Sequence, residues 1–396
     1  MSIIETLKSL FSNNDKNLSS AVNYNIIISY FFNGAGLIIS FLSVPFLIDL
    51  LSENQYGIWL TIFSIFTWLI LLDFGLGQGL RNKFPEALIK GDNIKAKMFI
   101  EITYFSTAII AFLIFLTTVV ISNYVNFYKL FNLKADSIPE DLNHLVVLFM
   151  FLFSFQFIGN NINSLFHSIQ KSRLIVIIDF FTKLFFFIGI LVMIKFKINS
   201  LFLLALILMG GRLMLTVVFT IYFKRFLIIN HQLRFSIISF SHLREKIELL
   251  KKDKLFSLSL AFFVMNISTI FLINSTNFLI TYLYSPAEVI PFSISFKLFS
   301  SLLFLFYVFL APFWSAFTEA YMKNDFLWIS KTVKKMLFGY GLFTIILVII
   351  LFSSSFIYSI WIGNKITIPS ELNFAIFVYA LIAAWNALFA HFLNAL

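Results

Sequence analysis

The 396-residue chain contains no cysteine. That excludes disulfides, thiol redox chemistry and cysteine-ligated metals. Charge is scarce as well: Asp, Glu, Lys and Arg make up 12% of the residues, against about 25% in an ordinary soluble domain. The sequence has no Walker A run and no HExxH pair, which argues against a nucleotide-driven motor and a zinc hydrolase. The five histidines, His144, His167, His231, His242 and His391, fall at no ligand spacing. No paired carboxylates are set out for catalysis, so neither a cofactor nor an enzymatic reaction is expected.

What is present is apolar. Hydrophobic residues make up 60% of the chain and mean hydropathy is +0.93. Apolar runs recur at about the length that crosses a bilayer as a helix. The short alternating segments of a membrane barrel are absent. The expected fold class is therefore all-α integral membrane, with about ten transmembrane helices. They fall near 23–49, 55–79, 98–122, 142–168, 174–194, 200–223, 255–283, 288–314, 337–360 and 372–396. Because 55 residues are phenylalanine, an aromatic stripe in this chain is weak evidence of a site.

The net charge of +10 does not point to nucleic acid, because the cations sit in short loops. With the amino terminus inside, the inner segments hold 21 Lys and Arg and the outer loops five. That asymmetry orients the chain with a cytoplasmic amino terminus. The domains expected are a tail at 1–22, a six-helix bundle at 23–223, a basic cytoplasmic linker at 224–254 and a second bundle at 255–396. In the linker, Leu243, Ile247 and Leu250 recur at helical spacing, suiting an amphipathic helix on anionic membrane lipid.

The segment Asp73 to Asp92, DFGLGQGLRNKFPEALIKGD, carries three alternating glycines and then turns basic. Part of it recurs late in the chain: Glu86-Ala87, Lys90 and Asp92 align without a gap on Glu319-Ala320, Lys323 and Asp325. Asn33 falls on Asn266 at the same offset. Two copies of six spans would share one orientation, related by an axis along the membrane normal. The second copy has room for only four spans before Leu396. The sequence thus predicts six spans plus an incomplete six, and a truncated product of a protein with at least twelve.

Polar side chains are costly in lipid and face cavities or partner helices. Ser29, Asn33, Gly36, Ser40 and Ser43 share one face of span one, and Gln156, Asn160, Asn163 or Ser164, and His167 one face of span four. Span seven carries a looser stripe with Asn266, Thr269, Asn277 and Thr281. Helix packing or a lumen explains such stripes equally well in span one; in span four the amides and histidine favour a lumen. Pro45, Pro291 and Pro312 are expected at kinks. Three cations lie deep. Arg212 is near the middle of span six and is read as a cavity residue. Lys183 is near the middle of span five, either in the cavity or neutralised by Asp179 one turn away. Lys297, in span eight, either faces the cavity or snorkels to the outer interface. Together they suit an anion such as diphosphate. Asp73, Arg81, Lys83, Glu86 and Glu319 read as a gating or structural loop near headgroups.

The stretch Asp73-Phe-Gly-Leu-Gly-Gln-Gly-Leu-Arg-Asn-Lys83, followed by Glu86-Ala-Leu-Ile-Lys-Gly-Asp92, resembles the Wzx-type (O-antigen) polysaccharide flippases. So does Leu51-Ser-Glu-Asn-Gln-Tyr-Gly-Ile-Trp59. These belong to the superfamily that includes the multidrug and toxin extrusion transporters. The resemblance implies two six-helix bundles, alternating access and an undecaprenyl-diphosphate-linked oligosaccharide as cargo, moved across a bacterial inner membrane. Membrane lipids and polysaccharide assembly proteins are the implied partners. Two other readings remain open: an ion-coupled exporter of small molecules or drugs, which predicts an acidic cavity, and a membrane glycan polymerase, which predicts clustered catalytic residues in a sizeable outer loop.

Overall fold

The computed structural model describes residues 18–134, 138, 141–236, 275–363 and 365–393. The tail at 1–17, the remainder of the linker from 237, and Asn266 and Thr269 of the span-seven stripe lie outside the described residues. Among those described the chain is all α, with eight helical segments long and apolar enough to cross a membrane. Label the helices in order: α1 Leu18–Leu50, α2 Glu53–Ile70, α3 Leu76–Ile89, α4 Asn93–Ser122, α5 Phe127–Leu130, α6 Leu142–Gly159, α7 Asn161–Ser168, α8 Arg173–Lys195, α9 Leu201–Ala205, α10 Gly211–His231, α11 Thr276–Leu283, α12 Val289–Met322, α13 Phe326–Trp361 and α14 Ser370–Leu393.

Three expected elements differ. The second span ends at Ile70 rather than residue 79. A single 3-10 turn, Leu71–Asp73, follows, and then Phe74 and Gly75 both take left-handed backbone. Gly77 and Gly79 lie inside α3. Second, α10 runs on to His231, so the first residues assigned to the linker are helical. Third, Pro291 is the third residue of α12. In the first helical turn its missing N–H removes no bond, so it marks no kink. Pro45 does lie within a continuous helix, α1.

The chain forms two compact units. One comprises residues up to 43, 65–127 and 139–275; the other comprises 44–64, 128–138 and 276–396. The core of the first is aromatic and aliphatic, with Phe84, Phe166 and Phe223 fully buried together. Gly159 lets α6 approach α10, since a Cβ there would lie 2.8 Å from Thr216 Cγ2.

In the second unit α2 opens with a reciprocal cap: Ser52 N–H donates to Gln55 Oε1 (3.1 Å) and Gln55 N–H to Ser52 Oγ (3.3 Å). This is the capping-box arrangement, and it accounts for the Ser-Glu-Asn-Gln of the sequence. Just beyond it, Gly57 lies against the turn before α12. A Cβ there would fall 1.9 Å from the Pro286 carbonyl oxygen. The Thr61 and Thr281 hydroxyls share a 2.5 Å hydrogen bond. Ala380, Ala384 and Ala387 of α14 are buried in this unit's core, small residues of the kind that let membrane helices approach. Asn373 ties the helices together. Its Oδ1 accepts from Ser295 (2.8 Å) and Tyr358 (2.7 Å), and its Nδ2 donates to Ser354 (2.7 Å).

One turn is built twice, 233 residues apart. Gly91 and Asn324 both take left-handed backbone. Asp92 N–H donates to the Ala87 carbonyl (3.0 Å), and Asp325 N–H to that of Ala320 (2.9 Å). Each aspartate then caps the next helix: Asp92 accepts from Lys95 N–H and Asp325 from Trp328 N–H, both at 2.9 Å. Phe84 and Phe317, at the same offset, are both fully buried. One feature is not repeated. The break at Asp73–Gly75 aligns with Phe306, Tyr307 and Val308, and there α12 runs straight through. Without an aspartate to cap a new start or a glycine for the left-handed turn, the helix continues.

Candidate functional site

Two polar clusters lie within the first unit. The deeper one joins α8, α10 and α1. Lys183 stands about three turns into α8, and Arg212 about three turns beyond the start of α9. At about 1.5 Å per residue both are about 15 Å from those ends. Asp179 does not pair with Lys183. Its Oδ1 receives Arg212 Nη1 at 2.5 Å, so the aspartate neutralises the arginine and not the lysine. The cause is close helix approach. A Cβ on Gly189 would lie 2.5 Å from Ile207 Cγ2, and one on Gly211 would lie 3.8 Å from Phe185 Cβ. A π turn, Leu206–Gly210, ends just before Arg212; such turns widen a helix locally and often accompany sites. The pair is half-open, with side-chain exposures of 22% for Arg212 and 41% for Asp179.

Lys183 has no carboxylate partner among the described residues. Its stem lies on α1 at Gly36, where a Cβ would sit 3.4 Å from both its Cδ and its Nζ. Phe32 and Phe180 pack edge to face beside it, 5.0 Å apart. Asn33 is one turn from Gly36, hence on the same face of α1. The polar stripe of span one thus meets α8 at a lysine, and with Asp179 neutralising Arg212 the cluster keeps one surplus positive charge. Lys297 belongs to the second unit. It is half-buried on α12, where its carbonyl accepts from Ser301 Oγ at 2.6 Å.

The second cluster is a cavity of about 200 Å³ between the 71–75 break and α6–α7. It brings together Asp73, Asn160 and His167, which the sequence offered in two separate roles. Asp73 is first a structural residue: Oδ1 accepts from Gly75 N–H (2.8 Å) and Oδ2 from Gly77 N–H (3.1 Å), restarting the chain as α3. Gly77 itself is required by proximity, since a Cβ there would lie 2.7 Å from Ser164 Oγ. Opposite, α6 passes into α7 at Asn160, whose backbone stays helical (φ −63°, ψ −18°). Asn163 Nδ2 donates to Asn160 Oδ1 at 2.6 Å. Asn161 is buried and donates to Thr107 Oγ1 at 2.7 Å. Ile70, Gln78 and Phe157 complete the lining.

The remaining predicted residues are surface features. Glu86 takes hydrogen bonds from Lys90 (2.7 Å) and Lys83 (3.0 Å). These, the Lys90 bond first, pull its carboxyl down to about 2. Arg81 is exposed on α3, within electrostatic reach of His167. Glu319 is carried by α12, but its side chain lies outside the described residues. The sequence reading missed the Asp179–Arg212 pair, the notch at Gly36 and Asn373. Glycines inside apolar helices, Gly36 and Gly189, were the available signal, because they mark where a neighbour comes close.

No known family profile matches the chain. Over 370 residues it is 22% identical to a Salmonella typhi protein described as a "Putative O-antigen transporter", covering 90% of this chain and 79% of that protein. Among solved structures, a MATE transporter in complex with MaD3S superposes with a TM-score of 0.53 at 14% identity, over 96% of this chain and 81% of that one. A MATE in the bent conformation gives 0.53 at 15% identity, over 94% and 82%. These likenesses show the fold: it is that of the MATE transporters. The resemblance carried by residues 51–92, to flippases of the superfamily that includes them, agrees with both comparisons.

Proposed function

We propose that this chain, a multi-pass membrane protein with the MATE transporter fold and an O-antigen transporter as a relative, is a lipid-linked glycan flippase. Its cargo is an undecaprenyl-diphosphate-linked oligosaccharide, carried from the inner to the outer leaflet of a bacterial inner membrane by alternating access. The architecture proposed with it is ten or more spans in two repeated bundles, with the amino terminus in the cytoplasm. Membrane lipids and polysaccharide assembly proteins are its partners, and it performs no enzymatic step.

The observation that carries this reading is the surplus charge at Lys183. An ionised lysine at a helix centre costs about 2.5–3.5 kcal/mol on insertion scales. A diphosphate supplies the missing counter-charge, and charge-assisted hydrogen bonds to it are about twice as strong as neutral ones. Arg212, held by Asp179, lies on the helix next to α8 and is available when the pair opens. Lys297 is a further cation, carried by the second unit. The MATE fold also suits an ion-coupled exporter. A cationic drug, however, would meet Lys183 as a like charge, which favours the anionic cargo.

The test uses a strain deleted for the gene. Loss of the protein should trap lipid-linked glycan where an impermeant outer-face reagent cannot reach it. The wild-type gene and Lys183→Arg should restore access, and Lys183→Gln at equal expression should not. Normal exposure in the deletion strain sinks the flippase reading, and full rescue by Lys183→Gln sinks the role of Lys183.

A further inference from the structure

The cavity at the 71–75 break is not needed by the fold. Its counterpart in the second copy replaces Asp73 with Phe306, Gly75 with Val308 and Gly77 with Leu310, and α12 is continuous there. The same turn follows in both copies, so the fold tolerates either sequence. The break at 71–75 nevertheless faces the junction of α6 and α7 across the first unit, with the cavity between them. Irregular backbone at membrane depth persists where it is buried in protein or lines a polar cavity.

The wall chemistry narrows the occupant. At about 200 Å³ the space equals about six or seven waters of liquid volume, the size of one pyranose ring with its hydroxyls. No Lys or Arg lines it, and Asp73 carries the charge that a phosphate would have to approach. A bare metal cation fits poorly, because the wall is mostly neutral amide, hydroxyl and aromatic groups and the volume exceeds a coordination shell. What the wall offers is a mixture. Asn160, Asn163, Gln78, Ser164 and His167 bring groups that donate and accept, Asp73 accepts, and Phe157 adds an apolar face. Adjacent donors and acceptors beside an aromatic ring match vicinal hydroxyls on a sugar.

We propose that this cavity is a sugar subsite. It holds one neutral monosaccharide unit of the glycan, apart from the cationic cluster at Lys183, and so reads which glycan is carried. The assignment rests on the flippase reading for the identity of the cargo, but the cavity binds the sugar by its own contacts. Asn160, Asn163 and Ser164 are then specificity-determining residues, with Asp73 positioning α3 so that Gln78 closes the rim.

The full chain in lipid nanodiscs is titrated with glucose, galactose, mannose, N-acetylglucosamine and N-acetylgalactosamine. Hydrogen exchange is followed in the peptides spanning 70–80 and 157–168. At least one sugar should slow exchange in both peptides. Asn163→Leu and Ser164→Leu should weaken that sugar about tenfold or more, since each leaves a hydroxyl unpaired. Binding of undecaprenyl diphosphate, measured on the same samples, should be unchanged. Gln78→Ala, on the exposed rim, keeps the test valid if the inner variants melt early, and it too should weaken the sugar. If no sugar in the panel protects either peptide, or protection survives all three variants, the subsite is wrong. When that happens while glycan exposure still depends on the gene, the flippase reading stands without it. Sugar protection in a protein whose deletion leaves glycan exposure unchanged keeps the cavity and overturns the cargo.

Discussion

Replacing Asp179 by Asn and Arg212 by Gln, singly and together, tests the deep cluster most directly. Two unit charges about 4 Å apart attract by about 4 kcal/mol at an effective dielectric of about 20. The partial exposure of both side chains lowers that figure. Removing one member of a fully buried pair costs about 3–5 kcal/mol, and an exposed pair is worth about 0–1 kcal/mol. With side chains 22% and 41% exposed, each single variant should lose about 1–3 kcal/mol, between those limits. The double variant, which leaves no orphan charge, should regain most of that loss. Reversible unfolding in mixed micelles, read by circular dichroism, gives the four stabilities of the cycle. Single losses that simply add, within about 0.3–0.5 kcal/mol, would show that the two side chains do not form a pair. The cycle also separates structure from transport. If Arg212 serves only to neutralise Asp179, the double variant should flip glycan as well as wild type. If Arg212 also meets the diphosphate, the double variant is stable and still slow.

Three further outcomes are expected. Gly57→Ala would set a Cβ 1.9 Å from the Pro286 carbonyl; forced displacement of packed backbone should cost about 1–3 kcal/mol or more, and an unchanged melting temperature would refute the close approach. Asp92→Ala and Asp325→Ala should each lose about 0.5–2 kcal/mol, as helix-cap deletions do, and by similar amounts; a cost at one site alone would mean the two turns are not equivalent. The carboxyl of Glu86 is lowered from 4.5 to about 2 by Lys90 and Lys83. Its contribution is therefore complete above pH 4.5 and lost as pH falls toward about 2. The stability gap between wild type and Glu86→Gln should be widest near neutral pH and close across that window; a gap constant with pH would show that the lysines do not hold it.

Much of this was legible in the chain itself. Long apolar runs dictate helices, and the aligned stretches at 86–92 and 319–325 surfaced as the same aspartate-capped turn because capping chemistry is local. The break at Asp73 was legible as a break but not in its position. Alternating glycines mark freedom, whereas the hydrogen bonds of Asp73 to Gly75 and Gly77 decide where that freedom is used. Partner choice was not legible. Asp179 and Lys183 are one turn apart, which makes them the obvious pair along a single helix. Arg212 wins because Gly189 and Gly211 bring a second helix within reach, and that distance is tertiary. The cavity was hidden for the same reason. Asn160 and His167 share a helix face in the sequence, but nothing local says that Asp73 stands across from them.

The threonine pair in the second unit also sets a clock. Thr61 and Thr281 are 220 residues apart. At a synthesis rate of about 5–20 residues per second, Thr61 waits about 10–45 s after it is made before its partner exists. Over that interval the Leu60 carbonyl also lacks Asn277, which later donates to it at 3.4 Å, and Gly57 has no Pro286 to lie against. The start of α2 therefore spends most of the chain's synthesis as an unfinished surface. A nascent chain stalled before residue 276 should leave α2 as open to a membrane-impermeant protease or label as the finished protein leaves it closed.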